Sequence, residues 1–233
     1  MPTRVTRVAK ANLNKGDGSP RLPFLLLPPP RLSLPCHSDM AGRQARCVKE
    51  RAVFARTKRL TLRPGWPEDA PALARAIGHE SVIAKLARAP WPYTLDDAEA
   101  FLAQPRGAHD PHFLIETMDA GTPRLVGGIA IRAAEAGHEL GYWLAPDAWG
   151  RGYATEAGEA VVAMARHALG LRRLDAFHFV DNPASGRVLA KLGFRPTGRI
   201  EPRTSRGRGC EAPAVMFALD LDDGRCAPMP MAA

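Results

Sequence analysis

The chain has 233 residues, 45% of them hydrophobic, and a formal net charge of +8. That length and composition allow one generous domain with a sizeable core, or two small ones. Residues 1–59 carry 13 Lys/Arg against 3 Asp/Glu and the remaining 174 carry 19 against 21; the basicity therefore belongs to the N-terminal segment, which disfavours a nucleic-acid-binding folded domain.

Residues 1–58 read as a Pro/Arg-rich disordered extension, with seven prolines in residues 1–39 and no sustained helical or strand period. Met40 is a candidate alternative translation start, and a basic arm that touches RNA is the other reading of the leader. The apolar run Leu22–Leu27 is interrupted by proline and too short to span a bilayer. Cys36, Cys47, Cys210 and Cys226 form neither a C-x-x-C pair nor a Cys/His cluster, so neither zinc nor a disulfide framework is expected. A soluble, reduced, cytoplasmic protein is the expectation, as monomer or homodimer.

The sequence predicts a first strand over Arg59–Arg63, then a helix opened by Pro67-Glu68-Asp69 with Leu73, Ala76 and Ile77 on its apolar face. A second helix is expected over Ser81–Arg88, and Thr94-x-x-Asp97 starts a third as a capping box. Phe113–Met118 and Leu125–Ile131 read as a hairpin around Asp119–Thr122, followed by a strand over His138–Leu144. Ala154–Leu169 reads as one helix, and Leu174–Val180 as a strand. Asn182-Pro183 caps a further helix ending at Gly193. Phe194–Ile200 and Ala214–Leu221 close the domain as strands across a basic loop with Arg203, Arg206 and Arg208. The elements describe a single mixed α/β layered domain over 59–223, with 224–233 as a C-terminal tail.

Chemistry concentrates in Gly141–Ala157, GYWLAPDAWGRGYATEA: a strand ended by Pro146, a loop with Gly150 and Gly152 around Arg151, then a helix start. The first N–H groups of a helix lack internal partners and sit at its positive end, so such a turn suits phosphate oxygens. On these residues alone, an ordinary glycine turn and a phosphate-binding loop stand as equal readings. Neither common nucleotide loop fits the spacing.

The wording is more specific than the physics. WGRGYATEA preceded by ELGYWLAP resembles the pyrophosphate motif of the GNAT acyltransferase superfamily, in the branch of bacterial enzymes that acetylate ribosomal-protein N-termini. Gly152 and Ala154 match the pattern's small positions, and Trp149 stands where Gln or Arg is usual. DNPASGRVLAKLGF, residues 181–194, resembles the family's N-x-x-S/A…LGF segment.

The resemblance implies a mixed, mostly antiparallel twisted sheet flanked by helices, and acetyl-CoA as acyl-donor substrate without a metal. It places the acetyl-CoA pyrophosphate on the amides of Arg151, Gly152, Tyr153, Ala154 and Thr155. Pantetheine and the thioester fall near Asn182, Ser185 and the amides of Leu144 and Ala145, where the family's strand end splays. Glu139 becomes the candidate base that accepts the amine proton, with His138 the rival on the opposite strand face. The family's tyrosine acid falls on Leu189, which cannot donate a proton, so Ser185 becomes the candidate donor, directly or through water. Trp91, Pro92 and Tyr93 resemble the acceptor-side loop, and Tyr142 joins Trp91 and Tyr93 as substrate-side residues. The plainer readings are an exposed strand glutamate for Glu139, a helix cap for Asn182 and a rigid connector for Trp91–Tyr93.

The implied reaction is direct acetyl transfer to a primary amine in a ternary complex, most simply a protein or peptide α-amino group. The alternatives are a small amine, such as an aminoglycoside or polyamine, and a non-catalytic acyl-CoA-binding regulator.

Overall fold

A computed structural model describes residues 55–107, 110–118, 121–134 and 137–222. The expectations for the leader (including Met40), for Asp119 and Ala120 in the hairpin turn, and for the tail lie outside the described residues.

Alternating apolar residues build the first strands. Strand β1 (Ala55–Arg56) pairs antiparallel with β2 (Leu60–Arg63), so the sheet starts before Arg59. In β2, Leu60 and Leu62 point inward and are buried. A single 3-10 turn, Pro67–Asp69, leads into α1 (Ala70–Ile77), whose Ala70, Leu73 and Ile77 are buried. The Asp69 carboxylate accepts from the Trp66 N–H at 2.8 Å and is gripped by both terminal nitrogens of Arg63 at 2.7 Å, which fixes the entry to the helix.

Helix α2 spans only Glu80–Ile83, half the predicted length. Its continuation is captured by tertiary contacts: the carbonyls of Ala84, Leu86 and Ala87 accept from the Arg208 side chain, the Ser205 hydroxyl and the Arg206 N–H. Helix α3 (Leu95–Leu102) begins with the expected capping box, in which Thr94 Oγ1 accepts from the Asp97 N–H and Asp97 accepts from the Thr94 N–H.

Strands β3 (His112–Thr117), β4 (Arg124–Ala134) and β5 (Gly137–Leu144) form an antiparallel run. Helix α4 (Tyr153–His167) follows, then β6 (Arg173–Phe179), α5 (Pro183–Lys191), β7 (Arg195–Ser205) and β8 (Cys210–Asp220). The last two strands are longer than predicted. Arg203 lies within β7, and only Arg206 and Arg208 belong to the turn.

The sheet order is β1-β2-β3-β4-β5-β6-β8-β7. Every pairing is antiparallel except β5 with β6, which run parallel and meet in the single pair Glu139↔Asp175. One face packs Leu60, Ile115, Ile129, Leu140 and Leu174 against Ala157, Val161 and Ala165 of α4 and Leu189 of α5. The other packs Leu114 and Trp143 against α1, α2 and α3. Burying each Leu or Ile contributes about 1.5–3 kcal/mol, so both helical layers are held chiefly by apolar area. Among the described residues, no helix is long and apolar enough to cross a membrane.

Candidate active site

The phosphate-loop expectation meets a specific geometry. Gly150 and Gly152 take positive φ, 73° and 79°, in the left-handed region that glycine enters without a steric penalty. Gly152 is the N-cap of α4, and the first amide satisfied within the helix is that of Glu156, which donates to the Gly152 carbonyl at 3.1 Å. The N–H groups of Tyr153, Ala154 and Thr155 precede that bond, at the positive end of a 15-residue helix. An open cleft of about 810 Å³ runs beside them, lined by Lys58, Arg59, Gly152, Thr155 and Lys191 among others. The Tyr153 ring itself is buried, beneath the Arg59 guanidinium at 4.8 Å.

A clamp that sequence reading missed holds this loop. Arg59 donates to the Arg151 carbonyl at 3.0 Å and to Glu156 at 2.7 Å, and Thr57 donates to Glu156 at 2.6 Å. Burial pushes the Glu156 carboxyl up, but the hydrogen bonds from Thr57 and Arg59 and the Arg59 charge outweigh it and hold the group below its ordinary range. The acid at the helix start is thus neutralised locally. Nothing in the spacing of Thr57, Arg59 and Glu156 signals their meeting, because the pairing spans nearly 100 residues.

The resemblance assigns the amides of Leu144 and Ala145, at the end of β5, to pantetheine, and the structure corrects one of the two. The Ala145 N–H donates to the Val126 carbonyl at 2.9 Å, so it is tied to β4 and is not free for a ligand. Amides alternate direction along an antiparallel strand, so the N–H groups of Leu144 and Tyr142 point toward β6. There the two strands have already parted beyond Glu139↔Asp175. The Leu144 carbonyl accepts from Trp149 Nε1 at 2.9 Å, which pins the loop to the strand end.

Ser185 sits in α5 on the α4 side of this opening, and its Oγ lies 2.7 Å from the Tyr142 hydroxyl. The Ser185 carbonyl, 3.1 Å away, is a second acceptor for the single phenol proton, and burial pushes the phenol up to about 12. Asn182 occupies the N-cap position, but its carboxamide makes no capping hydrogen bond, which corrects the plainer reading of that residue. Leu189 is fully buried among core residues.

Glu139 lies on the opposite sheet face, the one shared with α1–α3. Its carboxylate, 15% exposed, is 3.7 Å from Arg203, and Arg132 is its cross-strand partner. The gap between β5 and β6 therefore joins a Ser185–Tyr142 side to a Glu139 side. Tyr93 packs into the α1–α3 cluster, donates to the Asp97 carbonyl at 3.4 Å and is pushed up to about 12, mainly by burial. Trp91 remains exposed at 44%. Among the described residues, no group of His, Cys, Asp and Glu is placed to hold a metal ion.

These features define a fold with a glycine-capped helix start beside a parted pair of parallel strands. The family model of the acetyltransferase (GNAT) domain matches residues 59–195, and the chain belongs to that family. An uncharacterized N-acetyltransferase of Bacillus subtilis, YoaA, is 41% identical over 80 residues, covering 33% of this chain and 45% of that protein's length. A solved structure described as a putative ribosomal-protein-serine acetyltransferase of Vibrio cholerae is 23% identical with TM-score 0.60, covering 72% of this chain and 97% of the other. The spermidine N-acetyltransferase of Vibrio cholerae, solved with CoA and spermine, is 16% identical with TM-score 0.59, covering 71% and 98%. The structural likenesses carry the fold and leave the acceptor open.

Proposed function

We propose that the protein is an acetyl-CoA-dependent N-acetyltransferase that transfers the acetyl group directly to a primary amine, in first place the α-amino group of a protein or peptide. The observation that carries the reading is the junction of the α4 amide loop with the β5/β6 opening, which ends at the Tyr142–Ser185 pair. Acetyl-CoA fits this path: a pyrophosphate on the amides of Tyr153, Ala154 and Thr155, with Arg59, Lys58 and Lys191 beside it, and the thioester reaching the gap. The Arg151 and Gly152 amides join that cradle, and the Asn182 carboxamide serves the pantetheine arm.

In the proposed reaction the amine nitrogen attacks the thioester carbonyl from the Glu139 side, and the nitrogen–carbon bond forms as the carbon–sulfur bond breaks. Glu139 takes the proton that the nitrogen loses, directly or through water. The Leu144 N–H, and the Tyr142 N–H one pleat earlier, face the developing oxyanion. Ser185 Oγ gives its proton to the departing thiolate and takes the Tyr142 proton across 2.7 Å; solvent then returns a proton to the phenol as Glu139 releases its own. Tyr142 thus supports the leaving group from the strand, in the role that Leu189 cannot fill.

The test is thiol release from acetyl-CoA by the full chain with peptide α-amines, aminoglycosides and polyamines, alongside E139Q. Release with one acceptor class, reduced by E139Q most strongly at low pH, supports the reading. Acetyl-CoA binding without release for any amine favours the regulator instead.

A further inference from the structure

The Glu139 side of the gap is crowded with cations that the acetyl-transfer chemistry does not use. Arg132 stands directly across from Glu139, and His112, opposite Ala130, shares the same sheet face. Arg132 Nε donates to His112 Nε2 at 3.1 Å, while Arg106 presses on the other ring nitrogen, Nδ1, and donates to the Phe101 carbonyl at 2.7 Å. A neutral imidazole accepts at one nitrogen only, so one of these contacts sets two N–H donors against each other. Ionising would make both ring nitrogens donors, and burial, then the charges of Arg106, Arg132 and Arg88, push His112 down to about 3. Burial, Arg88 and Arg106 likewise lower Arg132 to about 10 against a partial offset from Glu139.

Counter-charge is scarce here. Among the described residues, no carboxylate forms an ion pair with Arg88, Arg106 or Arg132. Asp110 accepts from the Ala133 N–H at 2.8 Å, and Asp175 is held by Arg173. Arg203, the remaining cation, lies over Phe177 and 3.7 Å from Glu139. Clustered guanidinium groups with unused donors form a recognition site for a planar or tetrahedral oxyanion.

We propose that Arg132 and Arg106 bind a carboxylate or phosphate carried by the amine acceptor, so that the substrates are acidic amines and not polyamines or other polycations. The proposal rests on the acetyltransferase reading and narrows it. Directly opposed residues of an antiparallel pair lie about 5 Å apart. An acceptor whose nitrogen meets Glu139 therefore holds its anionic group at Arg132 when the two are separated by a few bonds, as in an acidic N-terminal residue or a small amino acid. A polycation entering the same cleft would meet like charge at several points, which costs affinity and supplies discrimination.

Two measurements on the full chain test this. Calorimetric titration with glutarate and with inorganic phosphate, using neutral glutaramide as control, reads the site without turnover and distinguishes the two anions. Saturable binding of one anion is expected, weakened about tenfold in R132Q and in R106Q; Arg106 lies in the loop before β3, so R106Q keeps the test open if R132Q misfolds. The ratio of kcat/KM for C-terminally amidated Asp-Ala-Ala over amidated Asn-Ala-Ala is expected to exceed about ten and to collapse in both variants. Absence of saturable binding by the unsubstituted chain, or equal binding in both variants, overturns the proposal. Thiol release that prefers spermidine or the neutral peptide overturns it while leaving acetyl transfer intact. Anion binding without thiol release from any amine overturns the acetyltransferase reading and this proposal with it.

Discussion

The Tyr142 hydroxyl lies 2.7 Å from Ser185 Oγ and 3.1 Å from the Ser185 carbonyl oxygen, so a strand of one sheet face holds the hydroxyl at the start of α5. With Tyr142 pushed up to about 12 chiefly by burial, its phenol is protonated throughout the physiological range and orients the serine as a donor. S185A is expected to lower kcat about 10- to 100-fold, and Y142F about tenfold. The double variant is expected to match S185A alone, because the two act in one relay. Steady-state kinetics with saturating acetyl-CoA check this; additive losses would separate the two residues.

At the phosphate loop, Gly152 holds φ at 79° as the N-cap of α4. Open space surrounds its missing Cβ apart from the Arg59 guanidinium at 3.5 Å, so the penalty of G152A is conformational. About 1–2 kcal/mol of stability is expected to be lost, with a raised KM for acetyl-CoA as the amides turn away. Chemical denaturation and acetyl-CoA titration read the two effects separately.

Glu156 gives a pH prediction of definite sign. A carboxyl held below its ordinary range contributes stability that is present above its unfolded-state pKa, about 4.3, and lost as pH falls through the folded value. The acid limb of the stability curve is therefore expected to flatten in E156Q relative to the unsubstituted chain. Urea midpoints between about pH 3 and pH 6 measure it. An unchanged limb would mean that the Arg59–Thr57 clamp contributes no net stabilisation.

His112 predicts loss in a neighbouring window. Its folded pKa, about 3, lies below the unfolded value near 6.5, so the unfolded chain takes up the proton first. Stability is expected to fall as pH drops from about 6.5 toward 3, by at most about 1.4 kcal/mol per unit. H112Q is expected to remove this component, and a proton NMR titration of the imidazole is expected to show no inflection above about pH 5.

Leu189, the position the family gives to its tyrosine acid, is fully buried in the main core. L189Y is expected to destabilise the fold by about 1–3 kcal/mol through overpacking and to give no gain in kcat. Thermal unfolding and kinetics of the same preparation decide it; a faster enzyme would show that the position can reach the opening.

The sequence by itself determined what depends on neighbours along the chain. The capping box at Thr94, the glycine turn into α4, the alternation of β2 and β5, and the two family-like segments all rest on near-neighbour backbone chemistry. They carried the sheet, the loop amides and the candidate roles of Glu139 and Ser185. Only the tertiary structure decided what depends on register and distant pairing. The Ala145 amide was removed from the site by Val126, α2 was cut short by the β7–β8 turn, and Tyr142 was set against Ser185. Arg59 met Glu156 across 97 positions, and Arg132 of β4 met His112 of β3 beside Arg106 of the preceding loop. Such contacts leave no period or spacing in the chain, because the strand pairing that creates them is a property of the folded sheet.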